Sequence, residues 1–192
     1  MNWHHLTLWQ IELIPWYVFV AVWIVASFWV KTTKAAEPVM SRLAYGSLMA
    51  LGFYLLFSQW LAAGVLGTRF IRDTQWVAIL GIVLTFAGAA VSVWARIILG
   101  ENWSAKVTRK VDHELIRSGP YALVRHPIYS GLLLATIGTA IFIGQWRGLI
   151  AVPLVLLSES IKARREEQFM IEEFGQTYRD YREQTWFIVP GF

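Results

Sequence analysis

Three long apolar runs, Leu13–Val30, Leu43–Leu66 and Trp76–Leu99, constrain this chain more than any other feature. At about 1.5 Å of rise per residue, roughly 20 apolar residues carry a helix across about 30 Å of hydrocarbon. No water is available there to bond the backbone, so each run must satisfy its own N–H and C=O groups, and a helix does this within one segment. Composition agrees, since 56% of the 192 residues are hydrophobic, 16% are charged and the mean hydropathy is +0.47. A soluble domain of this length needs far less apolar surface. The chain reads as an integral membrane protein.

A fourth apolar region, Tyr129 to about Ile161, is long enough for two crossings and is broken by GQWRG at Gly144–Gly148. Its glycines predict a tight turn between antiparallel helices. The expected fold is therefore all-α: a polytopic membrane helical bundle with about five transmembrane helices and a cytoplasmic C-terminal region. Residues 1–99 form a three-helix transmembrane region, and residues 100–192 hold the hairpin and a C-terminal helix with Gly175 as its C-cap.

Trp9, Trp29, Trp60, Trp76, Trp103 and Trp146 stand near run ends, as rings at headgroup level do, whereas Trp23 and Trp94 read as bundle interior. The opening MNWHHLTLWQIE lacks the basic region and cleavage site of a signal peptide, so the first run is read as a retained span.

Lysine and arginine collect in the first loop (Lys31, Lys34, Arg42), in the third (Lys106 to Arg125) and in the tail (Lys162, Arg164, Arg165, Arg179, Arg182). This bias places the N-terminus outside and the C-terminus in the cytoplasm. Arg69, Arg72 and Arg147 count the other way but are fewer. The net charge of +4 follows from the same bias and suits contact with anionic membrane lipid; no nucleic-acid module accompanies it. The absence of cysteine excludes disulfides and thiolate metal centres. His4 and His5 have no carboxylate company, and no metal site is expected.

Two polar clusters interrupt this apolar chain. In GPYALVRHPIYSG (119–131), Tyr121, Arg125, His126 and Tyr129 gather at a helix start, with Pro127 in the first turn, where a missing amide proton costs nothing. Free amides and a positive partial charge there suit an anionic group of a ligand. The same residues also suit an interfacial anchor, and spacing leaves both readings open. In KARREEQFM (162–170), Lys162, Arg164, Glu166 and Glu167 follow directly from the last apolar run. They suit either a ligand's hydroxyls and charges or a solvated helix with internal ion pairs.

Taken with LGENWS (99–104), HELIRSGPYALVRHPIYSG (113–131), REEQFMIEEFGQTYRDY (165–181) and the final VPGF, these clusters resemble the isoprenylcysteine carboxyl methyltransferase family, in its compact prokaryotic form. The resemblance covers the C-terminal half. It implies S-adenosyl-L-methionine as cofactor, a cytoplasmic cofactor-binding region within 100–192, and a lipid or lipidated substrate entering from the bilayer of a prokaryotic cell membrane. Carried over by position, it assigns cofactor contacts to His113, Glu114, Leu115, Ile116, Tyr121, His126, Pro127, Ile128, Tyr129 and Glu166. Catalytic or acceptor-binding roles go to Lys162, Arg164 and Glu167. Where the eukaryotic members have a carboxylate-gripping arginine this chain has Lys162, a point charge without the planar fork. Phospholipid N-methylation, NADPH-dependent sterol-type reduction and non-catalytic lipid binding are the alternatives.

Overall fold

The computed structural model describes residues 3–29, 33–36, 39–103, 108–110 and 114–191. His113 and Lys106 lie outside the described residues. Six α-helices occur among them: α1 Trp3–Ala26, α2 Val39–Phe57, α3 Gln75–Leu99, α4 Pro127–Ile143, α5 Trp146–Phe174 and α6 Gln176–Gln184. Segments of α1, α2 and α3 are long and apolar enough to cross a membrane. At 17 residues α4 is shorter, and it folds back onto the apolar first half of α5 through Gly144, whose φ of 61° is the left-handed conformation a helix C-cap favours. The hairpin expected at GQWRG is thus present, and α5 runs on through the charged segment to Gly175. A two-stranded antiparallel ribbon, β1 Thr33–Ala36 with β2 Thr108–Lys110, joins the first and third loops and is an addition to the all-α expectation.

The second helix stops at Phe57, nine residues before the end of its apolar run. Arg147 explains the stop. Its guanidinium is buried and donates from Nη1 to the carbonyls of Leu55, Leu56 and Ser58 at 3.0, 3.0 and 2.8 Å. These are helix-end acceptors that would otherwise lack donors. Apolar residues then continue through two short 3₁₀ turns, Gln59–Ala62 and Val65–Gly67. The same device recurs. Arg69 Nη1 donates to Ile143 O at the end of α4 (3.0 Å), and Arg96 Nη2 donates to Ala26 O at the end of α1 (2.8 Å).

Helices α3 and α4 lie in backbone contact along Gly81, Thr85, Gly88 and Ser92 on one side and Gly131, Ala135 and Gly138 on the other. A Cβ placed on Gly88 would stand 2.3 Å from Ala135 N, and one on Gly131 would stand 2.5 Å from Gly88 O. Small residues permit this approach in a bilayer, where association depends on close packing rather than on expelling water. Helix α1 is tied on by a buried polar knot. Glu12 Oε1 accepts from Thr85 Oγ1 (2.8 Å) and Thr139 Oγ1 (2.6 Å), and Trp16 Nε1 donates to Thr139 Oγ1 (3.0 Å). Trp60 and Trp76 are exposed as interfacial rings are, Trp23 stacks on Phe19, and Trp94, read from sequence as interior, is half exposed.

Because the seam leaves no room for a methyl group, Gly88→Ala lowers the thermal-unfolding midpoint in detergent, an overpacking cost of about 1–3 kcal/mol. Gly46→Ala, with nothing within 4 Å of its Cβ, leaves the midpoint unchanged or slightly higher. Equal midpoints for the two variants would contradict the backbone contact.

Candidate active site

The close seam sets the end of α3 beside the start of α4, and a pocket forms between them and the charged half of α5. The space within it, counting its open mouth, is about 850 Å³. The 3₁₀ turn Gly100–Asn102 that ends α3 contributes Asn102, with Trp103 following, and the 3₁₀ turn Gly119–Ala122 contributes Tyr121. Glu114, Leu115 and Ile116 line a further wall, the Glu114 amide donating to Asn102 Oδ1 at 3.3 Å. Tyr129 from α4 and Glu166 from α5 meet inside the pocket, where the phenol donates to Glu166 Oε1 at 2.6 Å.

His126 is the N-cap of α4 but makes no side-chain capping bond, so its ring is available to α5. It lies between two carboxylates, with Nδ1 3.5 Å from Glu166 Oε2 and Nε2 3.5 Å from Glu167 Oε1, and stacks on Tyr129 with centroids 5.5 Å apart. Glu167 is held further by Arg125 Nε at 2.6 Å and Arg182 Nε at 3.4 Å. Arg125 also donates to the carbonyls of Arg182 and Thr185 at the end of α6. The tail then pairs with the loop before α4: Arg125 N donates to Trp186 O (2.8 Å), His126 N to Phe187 O (3.2 Å) and Trp186 N to Leu123 O (3.0 Å).

Burial disfavours charge on His126, but pairing with Glu166 and Glu167 outweighs it and raises the imidazole above its ordinary value. Burial likewise opposes ionisation of the two glutamates. His126, with Lys162 and Tyr129 for Glu166 and with Arg125 for Glu167, nevertheless holds both below the usual carboxylate range. Burial pushes the Tyr181 phenol up to about 12, and raises Tyr121 and Tyr178 with help from the nearby glutamates. The cluster therefore interleaves the cations Arg125, His126 and Arg182 with the anions Glu166 and Glu167, walled by neutral phenols.

Residues 76–177, more than half of the chain, match the phospholipid methyltransferase family. The chain belongs to that family. Its relatives include protein-S-isoprenylcysteine O-methyltransferase B of Arabidopsis thaliana, 26% identical over 81% of this chain and 80% of the relative. The protein-S-isoprenylcysteine O-methyltransferase of Schizosaccharomyces pombe is 33% identical over 50% of this chain and 42% of its own. A solved structure of the eukaryotic intramembrane Ras methyltransferase, isoprenylcysteine carboxyl methyltransferase, shares the fold with a TM-score of 0.52. It is 20% identical, covering all of this chain and 87% of that one. The isoprenylcysteine branch expected from the motifs is the one these relatives represent, and the protein is a membrane methyltransferase.

In this methyltransferase the pocket gathers Glu114, Leu115, Ile116, Tyr121, His126, Ile128, Tyr129 and Glu166. Pro127, expected among the cofactor contacts, is buried at the first turn of α4 and does not line the pocket. Lys162 stands one turn from Glu166, Nζ 4.0 Å from its Oε1 and 5.5 Å from the Tyr129 ring centroid. Glu167, expected at the reacting atoms, does not line the pocket; its oxygens are taken by Arg125, Arg182 and His126. Arg164 is exposed and also lies off the pocket. The cations expected to receive a ligand's anionic group, Arg125 and His126, face the protein's own carboxylates instead. Sequence reasoning gave no site role to Asn102, Trp103, Phe169, Met170, Tyr178 or Tyr181, which also line the pocket. Their motifs were visible in LGENWS, REEQFM and FGQTYRDY, but nothing local says that these segments meet.

The raised imidazole fixes a pH dependence. Stability from charged His126 is fully present below its unfolded value near 6.5 and is lost as pH rises through the higher folded value. The thermal midpoint in detergent accordingly declines as pH increases above about 6.5, and His126→Gln flattens that decline. A wild-type midpoint that rises over this range would contradict a protonated His126.

Proposed function

We propose that this protein transfers a methyl group from S-adenosyl-L-methionine to the carboxylate of a lipid-linked, isoprenylcysteine-type acceptor at the membrane interface. The observation that carries this reading is the meeting of Glu114, Tyr121, Tyr129 and Glu166 in one pocket where the bundle's apolar helices end. The residues fit the cofactor: the pocket's aromatic faces (Tyr121, Tyr129, Trp103) and carboxylates (Glu114, Glu166) favour a cation. When bound, the cofactor supplies an electrophilic methyl on a sulfonium. Glu114 and Glu166 would hold its cationic and hydroxyl groups, with Tyr121 and Tyr129 against its apolar parts.

An ionised carboxylate needs no base. Its oxygen forms the new C–O bond as the methyl–sulfur bond breaks, the electron pair stays on sulfur, and no proton moves, so the site has only to align and desolvate. An ammonium acceptor would need a base. The pocket's Glu166, held below the usual range by His126, is a weak one, which favours the carboxylate. Lys162 attracts that carboxylate, residues 100–192 act as the catalytic region on the transmembrane frame of 1–99, and the site opens to the cytoplasm with the N-terminus outside and about five crossings.

Calorimetry on detergent-purified protein tests this. S-adenosylhomocysteine binds saturably and NADPH does not. Glu166→Ala and His126→Ala weaken that binding about 10- to 100-fold, the loss of one charge-assisted contact. Lys162→Ala keeps the affinity and loses turnover of a prenylcysteine acceptor. Binding of NADPH alone would move the protein to the reductases, and undiminished affinity in the first two variants would overturn the cofactor assignment.

A further inference from the structure

Arg96 is a cation that the reading above leaves without an anion. It lies in the last turn of α3, within the apolar span Gln75–Asn102, and is 3% exposed. Nη1 donates to Gly100 O at 2.7 Å and Nη2 to Ala26 O at 2.8 Å, but Nε has no hydrogen-bond partner, and no carboxylate pairs with the guanidinium among the described residues. Arg147, the other buried arginine among them, bonds its Nε to Gln145 Oε1 as well. Carbonyls satisfy donors without neutralising a charge, and an arginine does not escape by losing its proton. A cation so placed in a membrane span calls for a partner of opposite charge.

The surroundings of Arg96 show where that partner comes from. Arg96 lines a second cavity, between the ends of α1 and α3, whose space counting its open mouth is about 470 Å³. Val22, Ala26 and Trp29 form one side, and Ile97 and Glu101 stand with Arg96 on the other. Trp29 and Ile97 are exposed, so in a bilayer the cavity opens onto lipid, with Trp29 at headgroup depth. Glu101 is exposed too and carries the opposite charge to Arg96. The guanidinium also lies over the Trp103 ring, 4.6 Å from its centroid, and Trp103 lines the pocket assigned to the methyl donor.

We propose that this cavity holds the head of a zwitterionic membrane phospholipid as a bound ligand that does not react, its phosphate on Arg96 and its ammonium on Glu101. A phosphate supplies the missing anion and an acceptor for Nε. A buried cation beside an exposed anion matches the order of charges in such a head, where the phosphate adjoins the glycerol and the ammonium is outermost. A lipid with a phosphate and no ammonium leaves Glu101 uncompensated and binds more weakly. The acyl chains pass Ile97 and Val22 toward the middle of the bilayer. Because the phosphate and Trp103 share one guanidinium, the bound lipid braces Trp103 in the wall of the donor pocket and raises donor affinity. The lipid site does not depend on which group accepts the methyl.

Delipidated protein in detergent is titrated with dioleoylphosphatidylcholine, dioleoylphosphatidylglycerol, dioleoylglycerol or water-soluble glycerophosphocholine. Bound lipid is counted by native mass spectrometry, and S-adenosylhomocysteine affinity is measured by calorimetry. The quaternary ammonium of phosphatidylcholine accepts no methyl group, so this probe reports the lipid site alone. One phosphatidylcholine is retained per chain, phosphatidylglycerol binds about three- to fivefold more weakly, as one exposed charge pair allows, and the other two are not retained. Glu101→Gln removes the difference between the two phospholipids, and Arg96→Gln abolishes retention of both. Phosphatidylcholine raises S-adenosylhomocysteine affinity about fivefold in the wild type and not in R96Q, whereas a merely structural arginine would lower the affinity without making it lipid-dependent. Retention of dioleoylglycerol equal to that of phosphatidylcholine, competition by glycerophosphocholine at the same concentration, or retention undiminished in R96Q overturns the proposal. If R96Q does not fold, the four wild-type titrations and E101Q decide. Phosphatidylglycerol bound as tightly as phosphatidylcholine overturns the role of Glu101, and donor affinity that ignores lipid overturns the link through Trp103. Failure to bind S-adenosylhomocysteine at all would instead overturn the cofactor reading, and the lipid count still stands or falls by itself.

Discussion

Backbone contact between α3 and α4 is the constraint on which the rest of the structure depends. Gly88 and Gly131 leave no space for a side chain between the helices, so neither helix can turn or slide without a clash. Ser92 Oγ adds a hydrogen bond to Ile128 O at 2.9 Å across the same line. Fixing the pair also fixes where α3 ends and α4 begins, and the pocket is lined from both: Leu99, Asn102 and Trp103 on one side, Tyr121, Ile128 and Tyr129 on the other. The small-residue spacing at Gly131 and Ala135 therefore serves packing within the chain. In lipid, where apolar surface alone gives helices no preference for one another, such contact is what selects a single arrangement.

Helix ends pose a second problem, because exposed carbonyls are poorly served at the edge of a bilayer. Four arginines answer it, each from a distant part of the chain. Arg96 reaches the end of α1, Arg147 the end of α2, Arg69 the end of α4 and Arg125 the end of α6. This recasts the charge count along the sequence. Arg147, which opposes the expected topology when counted as a loop charge, is buried and committed to carbonyls inside the fold and says little about orientation, whereas Arg69 stays exposed and divides its guanidinium between the end of α4 and Asp73. Arg125 does double duty, since the guanidinium that closes α6 also holds Glu167 and thereby positions His126.

Local pattern made the membrane helices legible, because hydrocarbon demands continuous apolar runs and leaves them nowhere else to go. The Gly144–Gly148 turn and the Gly175 stop were readable for the same reason, each requiring glycine where the chain reverses or leaves the helix. The early end of α2 was hidden, since its terminator, Arg147, lies 90 residues beyond Phe57 in the first turn of α5. Glu166 and His126 could be named from their motifs, but not the pairing that charges them. That pairing depends on the tail: Trp186 and Phe187 bond to the loop before α4 and hold the end of α6 against α5. Backbone pairing across 60 residues leaves no periodicity to read, which is why Tyr178 and Tyr181 entered the pocket unannounced.

The electrostatics of the cluster bear on why the chemistry is placed at the interface. Arg125, His126 and Arg182, with Lys162 beside them, face Glu166 and Glu167, and Glu114 adds a third carboxylate to the pocket, so the site carries little net charge before ligands arrive. A cationic methyl donor and an anionic acceptor then enter as a pair of opposite charges, attracted more strongly in this low-dielectric setting than in water. Transfer of the methyl group turns both into uncharged groups at the transferring atoms, and the environment that resists isolated charge favours that outcome. On the proposed reaction Lys162 would then face an ester rather than a carboxylate, and the uncharged head would partition more readily into the bilayer. A site deep in the bundle would exclude the polar cofactor, and one in water would weaken the attraction that assembles the two reactants. The end of the α3–α4 seam is where neither cost is large.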